Sequence, residues 1–198
     1  MVTVRGQIYT LEAVIAAVLL VSSLVFALQV TAVTPLSAST SNQHIENQQR
    51  ASASGVLTAA QEAGALKDAV LFWNDSDSAK RYHGAGRREY YTSDYPPNEF
   101  GNITERAFAG RGLAVNIRIY PYANSTDTTR LVYRGEPSDN AVSASRTVTI
   151  YDDDNLTAPP SNQTTVTDAD NFDEAVPGDS SGNSVYNVVR VEVTVWRM

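Results

Sequence analysis

Apolar positions are spread unevenly along this chain. From Ala13 to Val33 the run AVIAAVLLVSSLVFALQVTAV carries no charge. A helix of that length spans about 31 Å, close to the hydrocarbon thickness of a bilayer. Ser22 and Ser23 can return their hydroxyls to the backbone and so do not oppose membrane insertion. Pro35 predicts a kink or break just beyond the run. The next stretch has no proline until the nineties. In it Val56, Ala60, Ala63, Leu66 or Lys67, and Val70 recur at helical spacing. They predict a second helix over roughly residues 38–72, rich in Ala51, Ala53, Gly55, Ala59, Ala60 and other small residues, laid on a sheet.

The period then changes from helical to two. Leu113, Val115, Ile117 and Ile119 alternate with Ala114, Asn116, Arg118 and Tyr120. Leu131 to Tyr133 follows a turn, and Val148 and Ile150 alternate with Thr147, Thr149 and Tyr151. Val189, Val191, Val193 and Val195 face away from Arg190, Glu192, Thr194 and Trp196. Four strands with one apolar face predict an antiparallel sheet covered by a helix, an α+β class. Residues 74–112, dominated by Asp, Ser, Gly, Pro and Tyr, read as irregular. Residues 152–184, full of Asp, Asn, Thr, Ser and Pro, read as an exposed acidic loop that adds little to a core.

Composition narrows the chemistry. The 198 residues carry a formal charge of −7 and no cysteine. Thiol catalysis, disulfides and cysteine-bound zinc are thereby excluded. An acidic chain offers no general footprint for nucleic acid. Of fifteen basic residues only Lys67 and Lys80 are lysine, and Asp outnumbers Glu; this composition resembles proteins of salt-loving microbes. Lys80, Arg81, Arg87 and Arg88 interleave with Tyr82, Tyr90 and Tyr91. They read as a solvated loop, or as a contact for an acidic neighbouring subunit. Asp168, Asp170 and Asp173, or Asp152 to Asp154, are calcium candidates without the EF-hand spacing. His44 and His83 read as surface positions. No GxSxG, HExxH, Walker or Rossmann pattern occurs, so the expectation is a protein without cofactor or enzymatic activity. Asn74, Asn102, Asn124, Asn155 and Asn162 each open a glycosylation sequon.

The amino terminus admits three readings. Val25-Phe26-Ala27 can serve a secretory cleavage. Arg5 before the run suits a signal anchor with a cytoplasmic amino terminus and an outward-facing remainder. The third reading starts from Arg5-Gly6-Gln7 ahead of the run and Glu12 at its head. This arrangement resembles the class III leader of archaeal type IV pilins and pilin-like proteins, in particular haloarchaeal surface proteins beginning RGQ-x-x-TLE.

That resemblance implies a leader of residues 1–6, cut by a prepilin peptidase between Gly6 and Gln7. It further implies a transmembrane and assembly helix over 7–34 and a continuing extracellular helix over 35–73. An extracellular β domain over 74–198 would follow, with the acidic loop 152–184. Glu12 of one subunit would pair with the Gln7 amine of another; as a plain alternative, Glu12 caps the helix start, where the dipole favours an anion. The implied partners are the membrane, other pilin-like subunits, the peptidase, an assembly ATPase and its membrane platform. The implied function is a structural subunit of a type IV pilus-like filament or secretion apparatus at the cell membrane. The competing expectation is a single-pass anchored binding or adhesion module that never polymerises.

Overall fold

The computed structural model describes the chain apart from residues 1–2, 77–79, 122–127 and 179–181, and apart from the side chains of 3–8 and 30–42. The side chains of Arg5, Gln7 and Pro35 and the sequon at Asn124 therefore lie outside the described residues, while the helical backbone runs through Gly6 and through Pro35 without the break expected there. The chain forms two compact units, Met1–Ile45 and Glu46–Met198. Helix α1 (Thr3–Glu62) supplies the first unit and the opening segment of the second.

In the first unit, Tyr9–Gln29 is a helical span with a mean hydropathy of 2.5, long and apolar enough to cross a membrane. Its serines behave as helical serines do in apolar surroundings. Ser22 Oγ donates to Val18 O at 2.7 Å and Ser23 Oγ to Leu20 O at 3.0 Å, so neither hydroxyl is spent on an outside partner.

The second unit is α+β, with α1 packed against a small antiparallel sheet. Ala53, Val56, Leu57 and Ala60 of α1 are buried, the i, i+3, i+4, i+7 stripe expected of a helix on a core. The long second helix anticipated through residue 72 is divided, however. Gly64 takes φ 72°, a left-handed conformation that glycine reaches without steric cost, and interrupts the ladder after Glu62. Helix α2 (Ala65–Val70) then restarts and buries Ala65, Leu66, Ala69 and Val70.

A short ribbon follows, β1 (Trp73–Asn74) paired with β2 (Arg81–Tyr82). The main sheet holds β3 (Leu113–Pro121), β4 (Thr129–Val132), β5 (Val142–Tyr151) and β6 (Val185–Arg197), in the order β4-β3-β6-β5 with every pair antiparallel. Val193 stands opposite Ile117 on one side and Ala144 on the other. Val189, Val191, Val193 and Val195 are all buried, as the alternation predicts.

Two expectations need correction. Residues 74–112 are not irregular throughout, because helix α3 spans Glu99–Phe108. Asn98 caps it by accepting from Gly101 N at 3.0 Å, and Phe100, Thr104 and Phe108 form a buried stripe at i, i+4, i+8. Gly101 is required there by close approach rather than by dihedral freedom, since a Cβ would lie 1.8 Å from Pro96 O. Nor is the acidic segment 152–184 absent from the core. Leu156, Ala158, Val166, Phe172, Ala175 and Val176 are buried. Trp73 Nε1 donates to Asn171 Oδ1 at 2.6 Å, and Thr157 N to Leu71 O at 2.9 Å. A few well-spaced apolar anchors suffice to hold a polar segment when backbone hydrogen bonds satisfy the rest.

Candidate functional site

The feature of the first unit that asks for a chemical explanation is the exposed apolar helix. Tyr9, Leu11, Val14, Leu19, Leu20, Leu24 and Leu28 are all exposed, and none of the Tyr9–Gln29 span is buried. Successive helical positions turn by about 100°, so these residues cover every side of the helix rather than one stripe. Apolar surface on that scale is held in water only at high cost. Glu12 is the one carboxylate within the span. It is exposed and has no ion-pair partner among the described residues. A carboxylate carried to the centre of a bilayer costs about 2.5–3.5 kcal/mol, and less near the interface. Glu12 is therefore the point on this surface where a cation would gain most.

The candidates in the second unit are dispersed by the fold. Tyr82 and Tyr91 point into the core, and burial pushes both hydroxyls well above the usual tyrosine range. Lys80 pairs with Glu174, which raises its ammonium pKa, while Arg87 and Arg88 are exposed. The basic residues and tyrosines thus form no stacking platform. Asp168 Oδ2 accepts from Thr165 Oγ1 at 2.8 Å, and Asp154 Oδ2 pairs with Lys67 at 2.6 Å. Among the described residues no three of His, Asp and Glu converge as metal ligands, so Asp168, Asp170 and Asp173 are not brought together. His44 is exposed, and the His83 ring meets Phe72 edge-on at 5.3 Å. The sequon residues Asn102, Asn155 and Asn162 are exposed, whereas Asn74 is half-buried in β1.

Two features escape a sequence reading. The first is a cleft of about 550 Å³ between α3 and the loop before β5, lined by Tyr95, Asn102, Glu105 and Arg134 among others. The Arg134 guanidinium lies 4.4 Å from the Tyr95 ring centre and donates to Ser93 O at 3.1 Å. The second is the outer face of the main sheet, where arginine and tyrosine alternate across strands. Arg190 lies 4.2 Å from the Tyr120 ring centre and Arg130 4.3 Å from that of Tyr133. The alternation of β3 and β6 puts Arg118, Tyr120 and Arg190 on one side. Only the register of β4 shows that Arg130 joins them.

The architecture, a chain with one exposed apolar helix leading into a small α+β unit, defines the class. The chain belongs to DUF7288, a family of unknown function, whose family model matches residues 5–195. No curated protein and no solved structure matches it.

Proposed function

We propose that this protein is a non-enzymatic structural subunit, a pilin or minor pilin, of an archaeal type IV pilus-like surface filament or secretion apparatus. The observation that carries the reading is the Tyr9–Gln29 helix, apolar on every side and marked by a single carboxylate at its amino-terminal end. A membrane anchor alone needs the apolar surface but has no use for Glu12. An assembly of parallel helices has a use for both. Before assembly the apolar surface sits in lipid, and afterwards it packs against the same surface of other copies. Glu12 then sets the register, because leaving a partly desolvated charge unpaired costs more than pairing it returns. The Arg5-Gly6-Gln7 sequence just upstream supplies the amine by cleavage, as the resemblance to archaeal prepilin leaders implies. In this reading the α+β unit lies outside the cell, where its sequons are open to glycosylation.

The test is the amino-terminal residue of protein purified from its native membrane, read by mass spectrometry of the terminal peptide. A chain beginning at Gln7 is the expected result. A chain beginning at Met1 or Val2 would replace the filament subunit by a signal-anchored surface module, and one beginning near Leu28 would mean ordinary secretion.

A further inference from the structure

The eight acidic residues of segment 152–184 are accompanied by no basic residue, so outside it the chain carries fifteen basic residues against fourteen acidic ones. The net charge of −7 is thus a local property of one segment. Folding concentrates it further. Val166 N donates to Asp154 O at 2.9 Å and Thr167 Oγ1 to Asp152 O at 3.2 Å, which sets the Asp152–Asp154 run beside residues 166–168. Asp153, Asp168 and Asp170 are exposed there.

The outer sheet face has the opposite character. Arg118, Arg130 and Arg190 project from it against one carboxylate of the strands, Glu192, which already accepts from Tyr120 Oη at 3.0 Å and lies 3.8 Å from Arg190. Arg118 stands between Arg130 of β4 and Glu192 of β6 in the strand register. Like charges set opposite each other on a sheet cost stability until an anion lies between them. Neither Arg118 nor Arg130 has an ion-pair partner among the described residues. Arginine stacked on tyrosine keeps its planar fork ordered, which lowers the entropy lost on gripping a carboxylate.

Within one copy no carboxylate of the segment pairs with Arg118, Arg130 or Arg190 among the described residues. The acidic segment bonds to α2 and the β1–β2 side of the unit, through Leu71, Asp68 and Trp73. Its apolar anchors join the core on the inner face of the sheet, whereas the arginines alternate outward from buried Ile117, Ile119, Val189 and Val191. We propose that the Arg118–Arg130–Arg190 face docks the acidic patch around Asp153 and Asp170 of a second copy of this chain. The contact joins unlike surfaces, so it can repeat head to tail from copy to copy. The inference rests on the reading of the chain as an assembling subunit and names where its outer units meet.

The test uses full-length chain in detergent at about 0.1 M salt, where exposed charges act over roughly 10 Å. Self-association is followed by sedimentation for wild type, for Arg118→Glu/Arg190→Glu, and for Asp153→Arg/Asp170→Arg. Each variant alone presents like charges on both surfaces and is expected to associate about tenfold more weakly or less. An equimolar mixture of the two re-creates opposite charges at both contacts and is expected to return to the wild-type level, which a misfolded variant could not do. A wild type that stays monomeric overturns the proposal. So does loss in one variant only, variants that associate like wild type, or a mixture that is not restored. Amino-terminal processing is independent of these outcomes. A chain that begins at Gln7 yet fails here leaves the filament reading standing without this contact, and an unprocessed chain that passes does the reverse.

Discussion

Arg146 on β5 reaches across to α1, its Nη2 donating to Thr58 Oγ1 at 3.0 Å and to Ser54 Oγ at 3.3 Å. Strand and helix segments 88 positions apart are thereby fixed to each other at the sheet edge. Arg146→Ala should lower the unfolding free energy by about 1–2 kcal/mol, from two lost hydrogen bonds and lost packing of the arginine stem. Arg146→Lys should recover less than half, because the shorter lysine stops short of the Nη2 position and lacks the Nη1 that donates to Ser145 O. Denaturant unfolding of the three proteins, read at equal slope, would decide it.

Gly101 offers a harsher test. A methyl group would meet Pro96 O at 1.8 Å, and backbone cannot turn aside as a flexible side chain can. Gly101→Ala should destabilise by about 2–4 kcal/mol despite alanine's better helix propensity. Melting temperatures of Gly101→Ala and Gly55→Ala make the comparison, since a Cβ at Gly55 meets nothing within 4 Å and should leave stability unchanged or slightly raised.

The buried tyrosines predict an alkaline limb. Burial pushes the Tyr186 hydroxyl up to about 12, and raises Tyr82 and Tyr91 as well. A folded-state pKa above the unfolded value means that the native state holds its protons more tightly. The associated stability is complete below the unfolded value near pH 10 and is lost as pH rises towards 12. The Tyr82 hydroxyl has no hydrogen-bond partner among the described residues. Tyr82→Phe should therefore be neutral or stabilising by about 1 kcal/mol and should flatten this limb. Thermal melts between pH 8 and 12 would show a parallel decline in both proteins if the reasoning fails.

Trp73 and Asn171 form a buried pair that ties the acidic segment to the ribbon. Asn171→Ala leaves the indole N–H unsatisfied and should cost about 2 kcal/mol, whereas Asn171→Asp keeps an acceptor at the price of a buried charge. Proteolysis should register the change first in residues 152–184, ahead of global unfolding.

Glu12→Gln separates assembly from folding. The residue is exposed and belongs to the unit Met1–Ile45, so melting of the α+β unit should move by less than about 1 °C. The assembled fraction recovered from native cells should fall at least about tenfold if a charge pair sets register. Unchanged recovery would leave Glu12 without a part in assembly.

Strand positions were legible because one face of each strand is continuously apolar, and Val189 to Val195 give the period away without help. Helix α3 was not, since Pro96-Pro97 and two nearby glycines mask a stripe of only three residues, although Asn98 before Glu99 is a recognisable cap. The anchors of the acidic segment were missed for a different reason. Leu156, Val166 and Phe172 stand about ten and six positions apart, following no secondary-structure period, and their burial depends on distant α2 and Trp73. The outer arginine face follows from alternation in β3 and β6, yet its meaning depends on strand order, which no local pattern encodes.

Among the described residues of segment 152–184, eight side chains are buried: the six apolar anchors with Ser161 and Asn171. Most of the remaining described positions face solvent, Asp154 on Lys67 and Thr157 on Asp68 O being exceptions. Their lettering can change with little penalty to the frame, as a sign can be repainted while its posts stay in the ground. A protein built this way can alter what this segment shows to solvent and keep the same frame.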